Sequence, residues 1–169
     1  WMLGYTLKAA GDLGGARAAL ERALAVAPDD DAVRQQLVEL DLLAGDPARV
    51  LKAVEVERDE EARLYWTTMA LHSLGHHDTA ERGLGEWNAR FASSDPQLAC
   101  DINAWLGHRD RAFEALDRIL VEPFRHGGAI AYLRVDPLLA SLRSDPRWKA
   151  FLRKASLPVE VEPAPSPPR

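Results

Sequence analysis

The chain is short of the features that mark most specialised proteins. It holds one cysteine, Cys100, in 169 residues, so no intrachain disulfide can form and folding does not depend on an oxidising compartment. No run of about 18 apolar residues occurs, which excludes a spanning helix. Trp1-Met2-Leu3-Gly4 lacks the basic start and long apolar stretch of a signal peptide. Val, Ile, Thr and Tyr, the residues strands favour, are few beside Ala, Leu, Arg and Glu. The net charge is −5, with the two signs interleaved, so there is no basic field of the kind that neutralises nucleic-acid phosphates. No direct nucleic-acid partner and no membrane are expected, and cytoplasm is the default compartment, or periplasm if an upstream segment anchors the protein.

Catalytic signatures are missing as well. No serine sits in a strained glycine-flanked turn after a strand, and no glycine-rich loop with a lysine is available to cradle phosphate. Cys100 lies among Leu98, Ala99 and Ile102, where a cysteine behaves as a small buried hydrophobe. His72 and His76 are four apart, but Gly75 lies between them at an expected helix end, so they do not share one helical face as a metal-binding pair would. His76, His77 and His108 fall at turns. The sequence therefore predicts no enzyme, no cofactor and no metal.

What remains is helical and repetitive. Residues 1 to 10 read as most of a helix, Gly11-Asp12-Leu13-Gly14-Gly15 as a turn, and Ala16 to Ala27 as a second helix with Ala16, Leu20, Ala23 and Leu24 on one face. Pro28 stops it. Helix pairs then recur: 31–44 with 48–58, 60–74 with 77–91, and 95–106 with 110–121. The turn glycines Gly11, Gly45, Gly75 and Gly107 are 34, 30 and 32 residues apart, a near-constant period that marks a solenoid. Four Asp-Pro pairs, at Asp46, Asp95, Asp136 and Asp145, read as helix starts: the aspartate accepts from unpaired amides, and proline at the first helical position sacrifices an amide with no partner.

After Val121 the period fails. Glu122-Pro123 breaks the helix, and two short amphipathic helices follow, with Leu138, Leu139 and Leu142 on one inner face and Trp148, Phe151 and Leu152 on the other. Residues 122–156 read as a cap over the last apolar face. Residues 157–169, with five prolines, read as a disordered tail. The division expected is 1–121, 122–156 and 157–169.

Leu3-Gly4, Leu7, Gly11, Ala16, Leu20, Ala23 and Pro28 resemble the tetratricopeptide repeat, a 34-residue helix-turn-helix unit. Later copies are degenerate, with Trp87 where a small residue is usual. The resemblance implies an all-α, right-handed α-α superhelix of about four helical pairs, acting as a non-catalytic scaffold that binds a protein or peptide segment in its concave groove. By that resemblance the first helix of each pair lines the groove, which points to Tyr5 and Lys8, Gln35 and Glu39, Tyr65, Met69 and His72, and Gln97, Asp101 and Trp105. The aromatics and Met69 can face a ligand or pack against the neighbouring repeat. The positions of the basic clamp that some members use hold Trp1, Tyr5 and Gln36, which disfavours chaperone-tail binding.

The segment from Gly107 to Pro158, including Arg109-Asp110-Arg111-Ala112-Phe113, Val135-Asp136-Pro137 and Ser144-Asp145-Pro146-Arg147-Trp148, is similar to the ends of repeat domains behind bacterial adenylate cyclases, serine/threonine kinases and winged-helix transcriptional regulators. This second resemblance implies an alternative: a regulatory domain controlling a fused effector in cis. Trp1 falls inside a helical pattern, so an effector domain or further repeat is expected upstream. A homodimer is the third alternative.

Overall fold

The computed structural model describes residues 2–93, 95–121 and 130–159. The Glu122-Pro123 break, Gly127-Gly128 and the prolines from position 163 onward lie outside the described residues. Among the described residues there are only helices and turns, and the fold is an α-solenoid of helical hairpins.

Four hairpins run in order: α1 (Met2–Ala9) with α2 (Leu13–Val26), α3 (Asp31–Leu43) with α4 (Pro47–Val54), α5 (Glu60–Ser73) with α6 (His77–Arg90), and α7 (Pro96–Trp105) with α8 (Arg109–Val121). Each helix packs on the next, and the first helices also meet across hairpins, α3 against α5 and α5 against α7.

One turn chemistry is used four times. Gly11, Gly45, Gly75 and Gly107 have φ between 77 and 87°, the left-handed region that costs a residue with a Cβ. The amide after each glycine reaches back across the helix end: Asp12 to Leu7, Asp46 to Asp41, His76 to Leu71 and His108 to Asn103, at 2.8–3.0 Å. In the first two turns that same residue opens the next helix. The Asp12 carboxylate accepts from the Gly15 amide at 2.8 Å and that of Asp46 from the Arg49 amide at 3.1 Å.

This cap corrects the expected start of the second helix. Gly14 and Gly15 belong to α2 rather than to the turn, because Asp12 satisfies the Gly15 amide and so begins the helix earlier. α4 is shorter than expected and ends at Val54. Asp59 caps the following helix through the Ala62 amide at 2.8 Å, so residues 55–58 are spent crossing to that start, and Val56 is left exposed.

The second helices carry the small-then-large rhythm into the core. Ala16, Val50, Ala80 and Ala112 are fully buried at equivalent places, and four residues later stand Leu20, Val54, Leu84 and Leu116, all buried. Trp87, where a small residue was expected for the family, is also fully buried, and its ring lies 6.0 Å from that of Tyr65 and 6.2 Å from that of Phe91.

All four Asp-Pro aspartates cap helices. Asp95 accepts from the Gln97 and Leu98 amides at 2.9 and 3.1 Å, Asp136 from the Leu138 amide at 3.0 Å, and Asp145 from the Arg147 amide at 3.0 Å. Beyond the hairpins come a one-turn helix, α9 (Ile130–Leu133), a 3₁₀ helix (Pro137–Leu142) and α10 (Pro146–Lys154). The 3₁₀ helix packs on α7 and α10 on α8. Arg147 joins Asp110 at 2.7 Å and its guanidinium lies 4.3 Å from the Phe113 ring centroid, while Lys154 meets Asp117 at 2.8 Å. α9 falls in a stretch where the sequence pattern predicts no helix.

Gly4 marks the closest approach within the first hairpin, because a Cβ there would lie 2.7 Å from Leu20 Cγ. Gly4→Val is expected to force α1 off α2 and to destabilise the protein by about 1–3 kcal/mol, the usual effect of overpacking, with a lowered urea midpoint as the readout.

Candidate functional site

The ten first-helix positions expected to line the groove divide into a buried group and a half-buried group. Lys8, Glu39, Tyr65, Met69 and Asp101 are buried, and Met69 is wholly inaccessible. Tyr5, Gln35, His72, Gln97 and Trp105 are half-buried. The five buried residues therefore present no free surface in this conformation.

The cause is the chain itself. The segment from α9 through the 3₁₀ helix lies over the first helices, where Leu133, Leu138, Leu139 and Leu142 join the same apolar cluster as Tyr65 and Met69. The Tyr132 ring lies 4.1 Å from that of Tyr5 on α1. Ser141 donates to the Ala104 carbonyl on α7 at 3.1 Å. Asp136 is buried at the middle of this arrangement, within electrostatic reach of Tyr5, Tyr65 and Asp101 on three different hairpins.

Lys8 is a buried cation at the centre. Its side chain is 1% exposed and its Nζ donates to Glu39 at 2.6 Å and to Gln36 Oε1 at 2.8 Å. The Tyr5 ring centroid lies 4.5 Å from it and that of Tyr132 5.7 Å. A buried ammonium requires such partners, since desolvation otherwise outweighs any gain.

Carboxyl groups outnumber it. Burial, then Asp136, then Glu39 push the Asp101 carboxyl well above the carboxylate range, and its Oδ1 has no hydrogen-bond partner among the described residues. Burial and then Glu39 raise Asp136 to about 7, although the Leu138 amide and Lys8 pull the other way. The Tyr65 hydroxyl is buried without a partner among the described residues, and burial and then Asp101 hold its ionisation well above the ordinary value. Burial and then Glu39 do the same for Tyr5.

Three of the other positions, Gln35, Trp105 and His72, meet protein neighbours. Gln35 donates to Glu57 at 2.5 Å and accepts from the Trp66 indole. The Trp105 indole donates to Ser73 Oγ at 3.0 Å. His72 Nδ1 lies 3.4 Å from His77 Nδ1, and burial followed by His77 lowers its pKa. Nearby, His108 meets Glu81 at 2.8 Å. Among the described residues no group of three or more such side chains is placed to hold a metal ion, and no helix is long and apolar enough to cross a membrane. Cys100 is buried, and burial raises its thiol.

Residues 1–40 match the family model of the tetratricopeptide repeat. The chain carries a tetratricopeptide repeat. That match spans the first hairpin and the start of the second, where the sequence pattern was also closest to the repeat. No curated protein and no solved structure matches the chain, and the resemblance of residues 107–158 to domains behind cyclases, kinases and regulators rests on its own motifs. Tetratricopeptide repeats in general mediate protein-protein interaction, and their all-helical fold is in general a non-enzymatic scaffold.

The resemblance to the repeat family points to ten first-helix positions, but not to Tyr132, Leu133 and Asp136, which pack with them. Their only sequence signals were the Asp-Pro pair and an aromatic-leucine pair outside the repeat period.

The burial of Asp136 makes stability depend on pH. Its carboxyl is raised from 3.8 to about 7 in the folded chain, so ionisation is disfavoured in the fold. The cost is absent below about pH 4, grows through the interval and is complete above about pH 7. Asp136→Asn keeps an acceptor for the Leu138 amide and removes the charge. Urea denaturation is expected to show this variant more stable than the parent at pH 8 by more than about 1.4 kcal/mol, the equivalent of one pKa unit, with the gain vanishing near pH 4.

Proposed function

We propose that this chain is a non-catalytic protein-interaction module whose partner site is the groove formed by the first helices of its repeats. Tyr5, Lys8, Gln35, Glu39, Tyr65, Met69, His72, Gln97, Asp101 and Trp105 contribute to it. One observation carries the reading: the groove already holds a polypeptide, the chain's own residues 130–142, against Tyr5, Lys8 and α7. A face that buries an aromatic ring, leucines and a carboxyl from a short segment has the shape and chemistry a partner segment requires.

In this reading residues 130–156 have two roles. The 3₁₀ helix and α10 cover the apolar end of the last hairpin, and residues 130–142 occupy the groove. A partner segment must displace them, so binding in trans competes with a tethered occupant at high effective concentration.

The test uses the full chain carrying Tyr132→Ala and Leu133→Ala, which loosen its own segment, and a fluorescent peptide spanning residues 130–142. Anisotropy is expected to show saturable binding in the micromolar range, about −8 kcal/mol, and binding at least tenfold weaker to the unmodified chain. No saturable binding beyond that of a scrambled peptide would rule out the groove.

A further inference from the structure

The groove's cis occupant is electrostatically mismatched to it. With residues 130–142 in place, the groove sets the carboxyl groups of Glu39, Asp101 and Asp136 around Lys8, which already has Glu39 at 2.6 Å and Gln36 at 2.8 Å. The other titratable or charged groups facing Asp136 are Tyr5 on α1, Tyr65 on α5, Cys100 on α7, Tyr132 on α9 and Arg143 after the 3₁₀ helix; Asp95 acts on Asp101 and Tyr65 from the start of α7. Arg143 spends a guanidinium hydrogen on the Asp136 carbonyl, at 2.8 Å.

Two groups on the groove floor lack the partners that burial calls for. Asp101 is 3% exposed with Oδ1 unpaired, and Tyr65 is 2% exposed with its hydroxyl unpaired, both among the described residues. Asp101 acts electrostatically on Tyr65 and Tyr5, and Asp136 acts on it, while the 3₁₀ helix of the segment packs on α7, which carries Asp101. A buried polar atom left unpaired is costly, and an opposite charge bearing N–H donors is what removes that cost. Asp136 brings a third carboxyl instead.

The geometry points to a partner segment that carries a lysine or arginine where the cis segment carries Asp136, its cationic head seated between Glu39 and Asp101 with Tyr65 beside it, and displacing residues 130–142. The leucines of the cis segment define what should flank that cation: apolar residues to refill their places in the cluster that also holds Tyr65 and Met69. The cis segment acts as a weak plug, held by its apolar side chains and opposed by its carboxyl. Opposition grows as that carboxyl ionises, so displacement becomes easier toward pH 8.

This inference rests on the groove reading, and its test separates the two. The full chain with Tyr132→Ala and Leu133→Ala is titrated at pH 7.5 and low salt with two fluorescent peptides, residues 130–142 unaltered and the same peptide carrying Asp136→Lys. The lysine peptide is expected to bind at least tenfold more tightly, with the preference falling to less than threefold when the chain also carries Asp101→Asn, a substitution of equal size at an atom that has no partner to lose. Equal affinities, or tighter binding of the unaltered peptide, overturn the basic-partner assignment and leave the groove standing. Binding of neither peptide overturns both. Should the loosened chain fail to fold, hydrogen exchange on the unmodified chain replaces it: excess lysine peptide should speed exchange at residues 130–142 more than the unaltered peptide does, and no difference between the two refutes the proposal.

Discussion

Everything in the groove depends on burying the Lys8 ammonium. An ion of this kind enters a protein interior only with its charge balanced and its hydrogens used, and those requirements draw on separate parts of the chain. Glu39 and Gln36 come from the second hairpin, Tyr5 from Lys8's own helix, and Tyr132 from α9. The pair joins the first two hairpins through Glu39, and the segment above supplies the cover that excludes water. Remove the segment and Lys8 returns toward solvent, where the ion pair weakens while the desolvation cost disappears. Uncovering this centre would therefore return a buried ion to water as well as expose apolar surface. An all-leucine interior would offer no comparable relief on opening.

The solenoid's own geometry explains why a groove is there to be filled. A helical hairpin cannot bury both of its faces, so the alanines Ala16, Ala80 and Ala112, with Val50 at the equivalent place, let second helices approach and bury one face against neighbours. The first helices are left side by side with a shared outer row. On an isolated array that row would meet water. Here it carries Tyr65 and Met69 at its middle, too apolar to leave uncovered without cost, with Glu39 and Asp101 beside them, too polar to merge into a core. Such a mixed surface suits a reversible occupant better than a permanent one.

Much of this was legible from local chemistry. The turn glycines, the Asp-Pro caps and the small-then-large spacing of the second helices each act over a few residues, and each is found where the spacing put it. The misses were also local where a competing cap intervened, as when Asp12 drew Gly14 and Gly15 into α2 and Asp59 shortened α4. The groove was different. The family resemblance put Tyr65, Met69 and Asp101 on the first helices, and their burial was not readable there, because the cover arrives from a segment that obeys no repeat. Tyr5 and Tyr132 sit at opposite ends of the described chain, and nothing in the spacing of either announces the 4.1 Å contact between their rings. Hydrophobic period reports which way a side chain points, not what lies beyond it.

The same distinction bears on how the groove could discriminate among partners. Apolar contacts with Tyr65 and Met69 favour almost any segment of suitable bulk, so they supply affinity with little selectivity. Selectivity has to come from groups that penalise a wrong occupant, and the floor holds two: a carboxyl and a phenol that lose solvation on burial and regain nothing from an apolar or acidic neighbour. The cis segment incurs that penalty and tolerates it because tethering spares it the entropy of association. A free segment has no such advantage. A segment that supplied the donors Asp101 lacks would escape that penalty, which is why the proposed groove would favour a cationic occupant over an apolar one.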